Sequence, residues 1–213
     1  LDDSYIDDRT LSGPGFISSN YIVTTSLEGV LLDGFIRHAT GQLIDLSNNM
    51  VLNTFETDFQ GSYISLSTST IPEYFEIRFL AGGKDISTGK TISIELSNVA
   101  SRNDLPYINV SPMTTVVSYI TKSKLDDQRN SSGILDLSTT NVFSIIDDSR
   151  TKISSLFEIN KSDIGSDYIR ESNILLAKNS IVMIIVVKNI TKLLVLSCGV
   201  SLTEGDIYCA MSN

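Results

Sequence analysis

The chain of 213 residues is long enough to bury a sizeable core, as one large domain or as two small ones. Its formal net charge of -9 excludes a duplex nucleic-acid binder, which needs a basic face that neutralises phosphates. Only 19% of the residues are charged, and Ser, Thr, Asn and Ile are frequent, which is typical of a polar, β-rich surface. The longest apolar run, from Ile181 to Val187, is too short to cross a bilayer, so we predict no membrane span.

Residues 1–29 are polar and punctuated by glycine, and "FISSNYIVTT" is their only strand-like stretch. This composition predicts a linker or an interaction arm, and we expect the chain to be part of a longer protein. The segment also lacks the basic, apolar and small-residue order of a signal peptide. For an exported protein, we expect the signal on another part of the molecule.

Residues 30–110 alternate short β-type runs with turn signals that are rich in Gly, Asn, Pro and Asp. The runs are, in chain order, "VLLDGFI", "GQLIDLS", "MVLNTFETD", "SYISLS", "YFEIRFLA", "TISIELS" and "YINVS". Short strands at this spacing predict an antiparallel β-sandwich of immunoglobulin-like size. The fold class that we expect is therefore mainly β, with helices after residue 110.

The hydrophobic pattern changes to a helical period at Ser111. This residue is a favourable N-cap, and Pro112 suits the first helical position because an N–H would have no partner there. Apolar residues then recur at helical spacing, which predicts a helix. A second helix is predicted with Thr140 as its N-cap and with apolar residues along one side up to Phe157.

A third helical candidate runs from about Ser166 to Leu196. Its first half has the pattern of a helix, but its second half is rich in β-branched residues, so a hairpin across Lys188 and Asn189 competes with it. We favour the helix. Together these elements predict a small helical module over residues 111–196, followed by a C-terminal tail over residues 197–213.

The predicted tail contains both cysteines of the chain, Cys198 and Cys209. Two interpretations stay open. In an oxidising compartment a disulfide between them would close a terminal loop, and otherwise they are two unrelated buried thiols. Neither arrangement fits a zinc site, because His38 is the only histidine of the chain and further ligands are missing.

The stretch "GGKDISTGKT", residues 82–91, has the letters of a phosphate-binding loop but not its spacing. In such a loop, four residues separate the first glycine from the Gly-Lys-Ser/Thr. Here five residues separate Gly83 from Gly89. A helix should follow the loop, but "TISIELS" alternates like a half-buried strand. We therefore predict a loop between strands, with Asp85 and Thr88 hydrogen-bonded inside it and Lys90 on the surface. If Gly89 has a positive φ, its replacement by valine should be unfavourable.

Several short motifs follow one another in a characteristic order between residues 28 and 63. They are "DGFI" at 33–36, "AT" at 39–40, "DLSNN" at 45–49 and "TDFQGSY" at 57–63. In this order the motifs resemble the start of a carboxypeptidase-regulatory-like β-sandwich. The resemblance implies the same fold class as the strand pattern.

Two further motifs extend this resemblance towards the helical residues. The segments "GGKDISTG" and "VSPMTTV" resemble a Gly-Gly-x-Asp-x-x-Thr-Gly loop and a Val-Thr-Pro-Leu-Thr-Thr-Leu helix start found in large surface or secreted proteins of bacteria and in some virus-encoded proteins. The matched motif residues are Gly82, Gly83, Asp85, Thr88, Gly89, Ser111, Pro112, Thr114 and Thr115. The resemblance covers residues 28–125 and implies a module of a bacterial or virion surface.

Calcium is the one cofactor that the resemblance suggests. Many proteins of the resembled family carry an acidic turn that can bind calcium, and the candidate ligands here are Asp45 and Asp85. The turn that begins at Asp45 has a single carboxylate, however, and lacks the glycine that a sharp calcium-binding loop requires. We expect no bound cofactor and keep calcium as the alternative.

The sequence shows no constellation of catalytic residues. His38 is the only imidazole and lies at the predicted end of a strand, where an exposed polar residue is ordinary. Paired carboxylates such as Asp147 and Asp148 are neighbours in sequence, so their side chains point in different directions. We therefore expect a protein that is not an enzyme.

Together these features predict a structural or adhesive module of a larger extracellular, cell-surface or virion-surface assembly, such as a fibre, a surface layer or a capsid-associated protein. We expect its partners to be protein subunits of the same or a neighbouring chain, with residues 1–29 adding a strand to an exposed sheet edge. The alternative is a carbohydrate- or calcium-binding module of a secreted adhesin or enzyme. Tyr63, Tyr74 or Tyr107 would then replace the missing tryptophan as a stacking platform.

Overall fold

The computed structural model describes residues 25–67 and 71–185, which form antiparallel sheets together with three helices. The strands are β1 (Thr25–Val30), β2 (Ile36–Arg37), β3 (Thr40–Asp45), β4 (Met50–Glu56), β5 (Ser62–Ser67), β6 (Tyr74–Phe79), β7 (Lys84–Asp85) and β8 (Leu96–Ser101). The helices are α1 (Pro112–Asp126), α2 (Val142–Phe157) and α3, described over 174–185. Short 3-10 helices cover Arg102–Asp104 and Lys161–Gly165.

The largest sheet has four strands in the order β4-β3-β6-β8, and every pairing in it is antiparallel. Strands β1 and β5 form a second sheet, and the short strands β2 and β7 form a third. A bulge interrupts the pairing of β3 with β4, because Leu43 lies opposite Asn53 and Ile44 lies opposite Val51. Leu52 is thus the extra residue of β4.

Strand β6 has two faces that differ in chemistry, as its period-two pattern requires. Phe75, Ile77 and Phe79 belong to the main buried cluster, which also contains Leu27 of β1 and Tyr63 of β5. The rings of Tyr63 and Phe79 lie 5.1 Å apart in an edge-on arrangement. Residues of the two larger sheets thus share one hydrophobic core.

The helices bury two further clusters against the sheets. One cluster contains Leu46, which follows β3, and Val99 of β8. These two side chains pack with Leu125 of α1 and with Val142 and Ile146 of α2. The other lies beside β1 and consists of Val30, Leu32, Met113, Val117, Ile153, Ile159, Ile164, Tyr168, Leu176 and Met183. None of the helices in the described ranges is long and apolar enough to span a membrane.

The combination of antiparallel strands with helices confirms the coarse fold prediction, whereas the immunoglobulin-like sandwich and the domain boundaries stay predictions. The strands predicted from "GQLIDLS", "MVLNTFETD", "SYISLS" and "YFEIRFLA" are present as β3, β4, β5 and β6. Strand β1 begins inside the predicted arm, so residues 25–29 belong to a sheet. The strand-like stretch "FISSNYIVTT" lies, apart from its last residue, outside the described residues.

Three strand predictions were wrong in extent. The run "VLLDGFI" is broken by a turn at Gly34, where φ is 75°. Strand β8 begins only at Leu96, because the preceding residues fold back onto the loop: Ile92 donates to the Gly83 carbonyl at 2.8 Å and accepts from the Gly82 amide at 3.0 Å. The run "YINVS" makes isolated bridges at Tyr107 and Val110 and no strand.

The predicted N-terminus was right for α1 and wrong for α2 and α3. The start of α1 is confirmed, with Ser111 as N-cap and Pro112 in the first turn. The N-cap of α2 is Asn141 rather than Thr140, since the Asn141 side chain accepts from the Ser144 amide at 3.0 Å. Helix α3 begins at residue 174 and not near 166, because residues 168–172 form turns. The competing hairpin and both cysteines, Cys198 and Cys209, lie outside the described residues.

Candidate functional site

The motifs "DGFI" and "GGKDISTG" lie side by side in the structure. Strands β2 and β7 pair so that Ile36 lies opposite Asp85, and the Ile86 amide donates to the Phe35 carbonyl at 2.9 Å. Gly34 is close enough that a Cβ there would lie 2.6 Å from Oδ1 of Asp85. The turn "DG" and the loop "GGKDISTG" are thus two halves of one local structure.

The carboxylate of Asp85 holds its own loop together, as the sequence predicts. Its Oδ1 accepts from the Ser87 amide and hydroxyl at 2.8 and 2.7 Å, and its Oδ2 accepts from the Thr88 hydroxyl at 2.6 Å. Burial alone would raise the pKa of Asp85, but the hydrogen bonds from Thr88 and Ser87 lower it below its ordinary value. Thr88 and Asp85 therefore act as structural groups of the loop.

Gly89 has a φ of 68°, which lies in the left-handed region, and Lys90 is exposed. We expect Gly89→Val to lower the free energy of unfolding by about 1–3 kcal/mol, because a β-branched residue is strained at positive φ. Lys90→Ala should change it by less than about 0.5 kcal/mol, as surface substitutions do. Chemical denaturation of both variants tests this, and equal stability of the two would contradict it.

The other calcium candidate, Asp45, is likewise engaged by its own turn. Its carboxylate accepts from the Ser47 amide at 2.8 Å and from the Asn48 side chain at 3.4 Å. Asn49 takes the left-handed position of this turn with a φ of 59°. Between residues 25 and 185, leaving out 68–70, no three His, Cys, Asp or Glu side chains lie together as a metal site.

His38 is exposed at the end of β2, as the sequence predicts. Its ring packs edge-on against Phe59, with 5.0 Å between the ring centroids. Asp147 and Asp148, the carboxylate pair from the sequence, have different cationic partners. Asp147 pairs with Lys161 at 2.6 Å, and Asp148 lies 3.9 Å from Lys124.

The threonines of the helix-start motif close the free edge of β8. The Ser97 amide donates to the Thr115 hydroxyl at 2.9 Å, and the Ser97 carbonyl accepts from the Thr114 hydroxyl at 2.8 Å. One turn further along α1, the Ser118 hydroxyl accepts from the Val99 amide at 2.9 Å. Side-chain hydroxyls of α1 thus take the place of a further strand, a role that strand and helix periodicity do not reveal.

The opposite edge of the same sheet is formed by β4. Among the described residues, no strand pairs with β4 on the side away from β3, and the Asn53 side chain reaches Ser65 of β5 at 2.9 Å. Three consecutive apolar residues are exposed there: Met50 by 59%, Val51 by 49% and Leu52 by 40%. We call Met50, Val51 and Leu52 the apolar edge.

A buried charge cluster connects the sheet to α1. Glu76 of β6 is 1% exposed, and its carboxylate accepts from Nζ of Lys122 at 3.0 and 3.1 Å and from Arg78 at 2.7 Å. Burial raises the pKa of Glu76, but the charges of Lys122 and Arg78 more than offset this and lower it overall. The cluster joins strand β6 to helix α1.

A polar cleft of about 270 Å³ lies between the segment that follows β8 and the residues around α2. Asp104 and Tyr107 from the segment after β8 line the cleft, together with Arg150 of α2 and Lys161 of the following 3-10 helix. The Arg150 guanidinium lies 3.7 Å from the Asp104 carboxylate. We call this the polar cleft.

Two buried amides shape the floor of the polar cleft. The Asn98 side chain donates to the Asn109 carbonyl at 2.7 Å. The Asn109 side chain accepts from the Val30 amide at 3.1 Å and donates to the Gly165 carbonyl at 2.9 Å. Asn109 therefore ties β1 to the 3-10 helix Lys161–Gly165, and the cleft has a rigid base.

Comparison with known proteins finds no protein-family model that matches the chain and no curated protein that matches it. The resemblance to carboxypeptidase-regulatory-like modules thus stays a prediction.

Proposed function

We propose that the protein is a non-enzymatic structural or adhesive module that docks onto protein subunits of a larger extracellular or virion-surface assembly. The observation that carries the proposal is the apolar edge, where three consecutive apolar side chains of an edge strand are exposed. We further propose that the two larger sheets form an immunoglobulin-like sandwich of the carboxypeptidase-regulatory-like kind. Their shared core of Leu27, Tyr63 and Phe79 supports this arrangement.

The contrast between the two edges of the four-stranded sheet supports docking at β4. An edge strand presents unpaired amides and carbonyls, and proteins that stay monomeric protect such an edge with charges, proline or a covering element. The β8 edge is protected in this way by the hydroxyls of Thr115 and Ser118. The β4 edge has apolar side chains instead, which favour burial against a partner.

The occupant that we propose for this edge is the N-terminal arm of a neighbouring copy. Residues 16–24 read "FISSNYIVT", a composition suited to an extended strand. A donated strand would pair its backbone with β4 and place apolar side chains against the apolar edge. Self-association through such arms would generate the homo-oligomer or the multi-protein assembly that the sequence predicts.

Replacing Met50 by lysine tests the docking function directly. We expect Met50→Lys and deletion of residues 1–24 each to shift the full chain from oligomer to monomer, because a charge on the edge or loss of the strand prevents pairing. Analytical ultracentrifugation over a range of concentrations measures this shift. The matched control is Phe143→Lys on α2, since Phe143 is also 59% exposed and lies away from the edge.

Unchanged assembly in both the Met50→Lys and the arm-deleted protein would contradict docking at β4. A wild-type chain that stays monomeric at every concentration would contradict self-association. Loss of assembly only in the Phe143→Lys protein would indicate that the docking surface lies on α2 and not on β4.

A further inference from the structure

The polar cleft has an aromatic wall that is open to solvent. Of the three tyrosines considered as stacking platforms, Tyr63 is 2% exposed and donates its hydroxyl to the Ile108 carbonyl inside the core. Tyr74 packs against a buried cluster of the sheet and helix residues. Tyr107 alone is 50% exposed and lines the cleft, so its ring can pack against the apolar face of a ligand.

A hydrogen-bond donor, Arg150, and a hydrogen-bond acceptor, Asp104, line the same cleft. The Arg150 guanidinium donates no hydrogen bond to any side chain or carbonyl of the described residues, and it lies 3.7 Å from the Asp104 carboxylate. Asp104 accepts from the Ser101 amide through Oδ2, and Oδ1 has no such donor within the described ranges. Arg150 and Asp104 thus place a donor and an acceptor beside Tyr107, as vicinal hydroxyl groups require.

Both cationic side chains that line the cleft have a carboxylate partner, which favours a neutral ligand. Arg150 lies beside Asp104, and Lys161 pairs with Asp147 at 2.6 Å. An anion would therefore compete with the carboxylates of Asp104 and Asp147 for these cations, on a chain whose net charge is -9. A polyhydroxylated, uncharged ligand instead uses the donor and the acceptor together.

The size of the cleft limits the ligand to a small unit. Its volume of about 270 Å³ lies just below the ~300–1,000 Å³ of typical ligand pockets. Its floor is rigid, because the side-chain oxygen of Asn109 accepts a hydrogen bond from Val30 and the side-chain nitrogen donates one to Gly165. One sugar ring fits such a cleft, and the rest of a glycan would extend into solvent.

We propose that the polar cleft binds one neutral pyranose unit of a glycan, with Tyr107 as the stacking platform and Arg150 and Asp104 as the hydroxyl-binding groups. This site would give the module a second, carbohydrate-directed adhesive surface. The proposal does not depend on docking at the apolar edge, because no residue of that edge lines the cleft.

Titration of the isotope-labelled full chain with single sugars, followed by two-dimensional NMR, tests the site. The probes are D-glucose, D-galactose, D-mannose and N-acetyl-D-glucosamine, with D-glucuronic acid as the charged comparison. We expect at least one neutral sugar to give saturable shifts at Tyr107 and Asn98, with a Kd in the range of about 1 mM. Tyr107→Ala should weaken this binding about tenfold, and Arg150→Ala should weaken it similarly.

The control for both variants is Phe143→Ala, which removes an exposed aromatic side chain on the same helix as Arg150 without touching the cleft. It should leave the Kd unchanged, and Met50→Lys should also leave it unchanged. Absence of saturable shifts with every neutral sugar would overturn the proposal. Tighter binding of glucuronic acid than of each neutral sugar would overturn it as well, and so would a Kd of the Tyr107→Ala and Arg150→Ala variants equal to that of the wild type.

Discussion

Lys122→Met is expected to lower the free energy of unfolding by about 3 kcal/mol, because it leaves the Glu76 carboxylate buried with one partner fewer. Glu76 is 1% exposed, and Nζ of Lys122 lies 3.0 and 3.1 Å from its two oxygens. Arg78 stays within 2.7 Å of the carboxylate, which places the expected loss at the lower end of the range for broken buried pairs. Urea denaturation followed by circular dichroism measures the loss.

Lys124→Met is the matched control for this experiment. Lys124 lies on the same helix, but its ion pair with Asp148 is exposed and 3.9 Å long, so its loss should cost less than about 1 kcal/mol. The double variant Glu76→Leu with Lys122→Met should recover part of the stability, because it removes the buried carboxylate that has lost Lys122 as a partner. Equal losses for Lys122→Met and Lys124→Met would show that the buried pair contributes no more than a surface pair.

The same cluster makes stability depend on pH in a defined direction. The pKa of Glu76 in the folded state is lowered from its ordinary value of 4.5, so the folded state favours the ionised form. The stabilisation is therefore fully present above that value and is lost as pH falls below it through the folded pKa. The difference in stability between the wild type and Lys122→Met should shrink over this acidic range, and a difference that grows instead would contradict the assignment.

Removing the hydroxyls that close the β8 edge is expected to cost about 1–3 kcal/mol for each strand amide left without a partner. Thr115→Val keeps the shape of the side chain and leaves the buried Ser97 amide unsatisfied. Ser118→Ala does the same to the Val99 amide, and a favourable helix propensity of alanine offsets this by roughly 0.5 kcal/mol. The double variant should lose more than either single variant.

Thr151→Val is the control for these hydroxyl deletions. The Thr151 hydroxyl also bonds a backbone carbonyl, that of Asp147 at 2.8 Å, but it is exposed and water can replace it. We expect a change within about 0.5 kcal/mol. Thermal melting should then separate the edge variants from Thr151→Val by several degrees, at about 2–4 °C per kcal/mol for a chain of this size. Identical melting temperatures would show that the hydroxyls do not stabilise the edge.

Local chemistry was readable from the sequence wherever neighbouring residues decide the conformation. Ser111 and Pro112 predicted the start of α1, and the loop residues Asp85 and Thr88 predicted their own hydrogen bonds. Caps and turns of this kind depend on residues within three or four positions of one another, so one sequence contains the whole argument.

Predictions that depended on strand length were less reliable. The alternation in "TISIELS" predicted a strand, but Ile92 hydrogen-bonds to Gly82 and Gly83 of the preceding loop and β8 starts later. Two neighbouring polar residues, Thr140 and Asn141, both suited an N-cap, and the Asn141 side chain took that role. Periodicity indicates a type of element, but competing backbone partners determine where it ends.

By itself, the sequence determined the β-rich start, the later helices, the N-cap of α1 and the hydrogen bonds of the Asp85 loop, since these follow from local propensity and periodicity. Only the tertiary structure decided that Thr115 and Ser118 close the β8 edge, that Lys122 meets Glu76, and that Tyr107 and Arg150 share a cleft. These partners are 18–46 residues apart in the chain. Packing brings such residues together, and no local pattern encodes which of them meet.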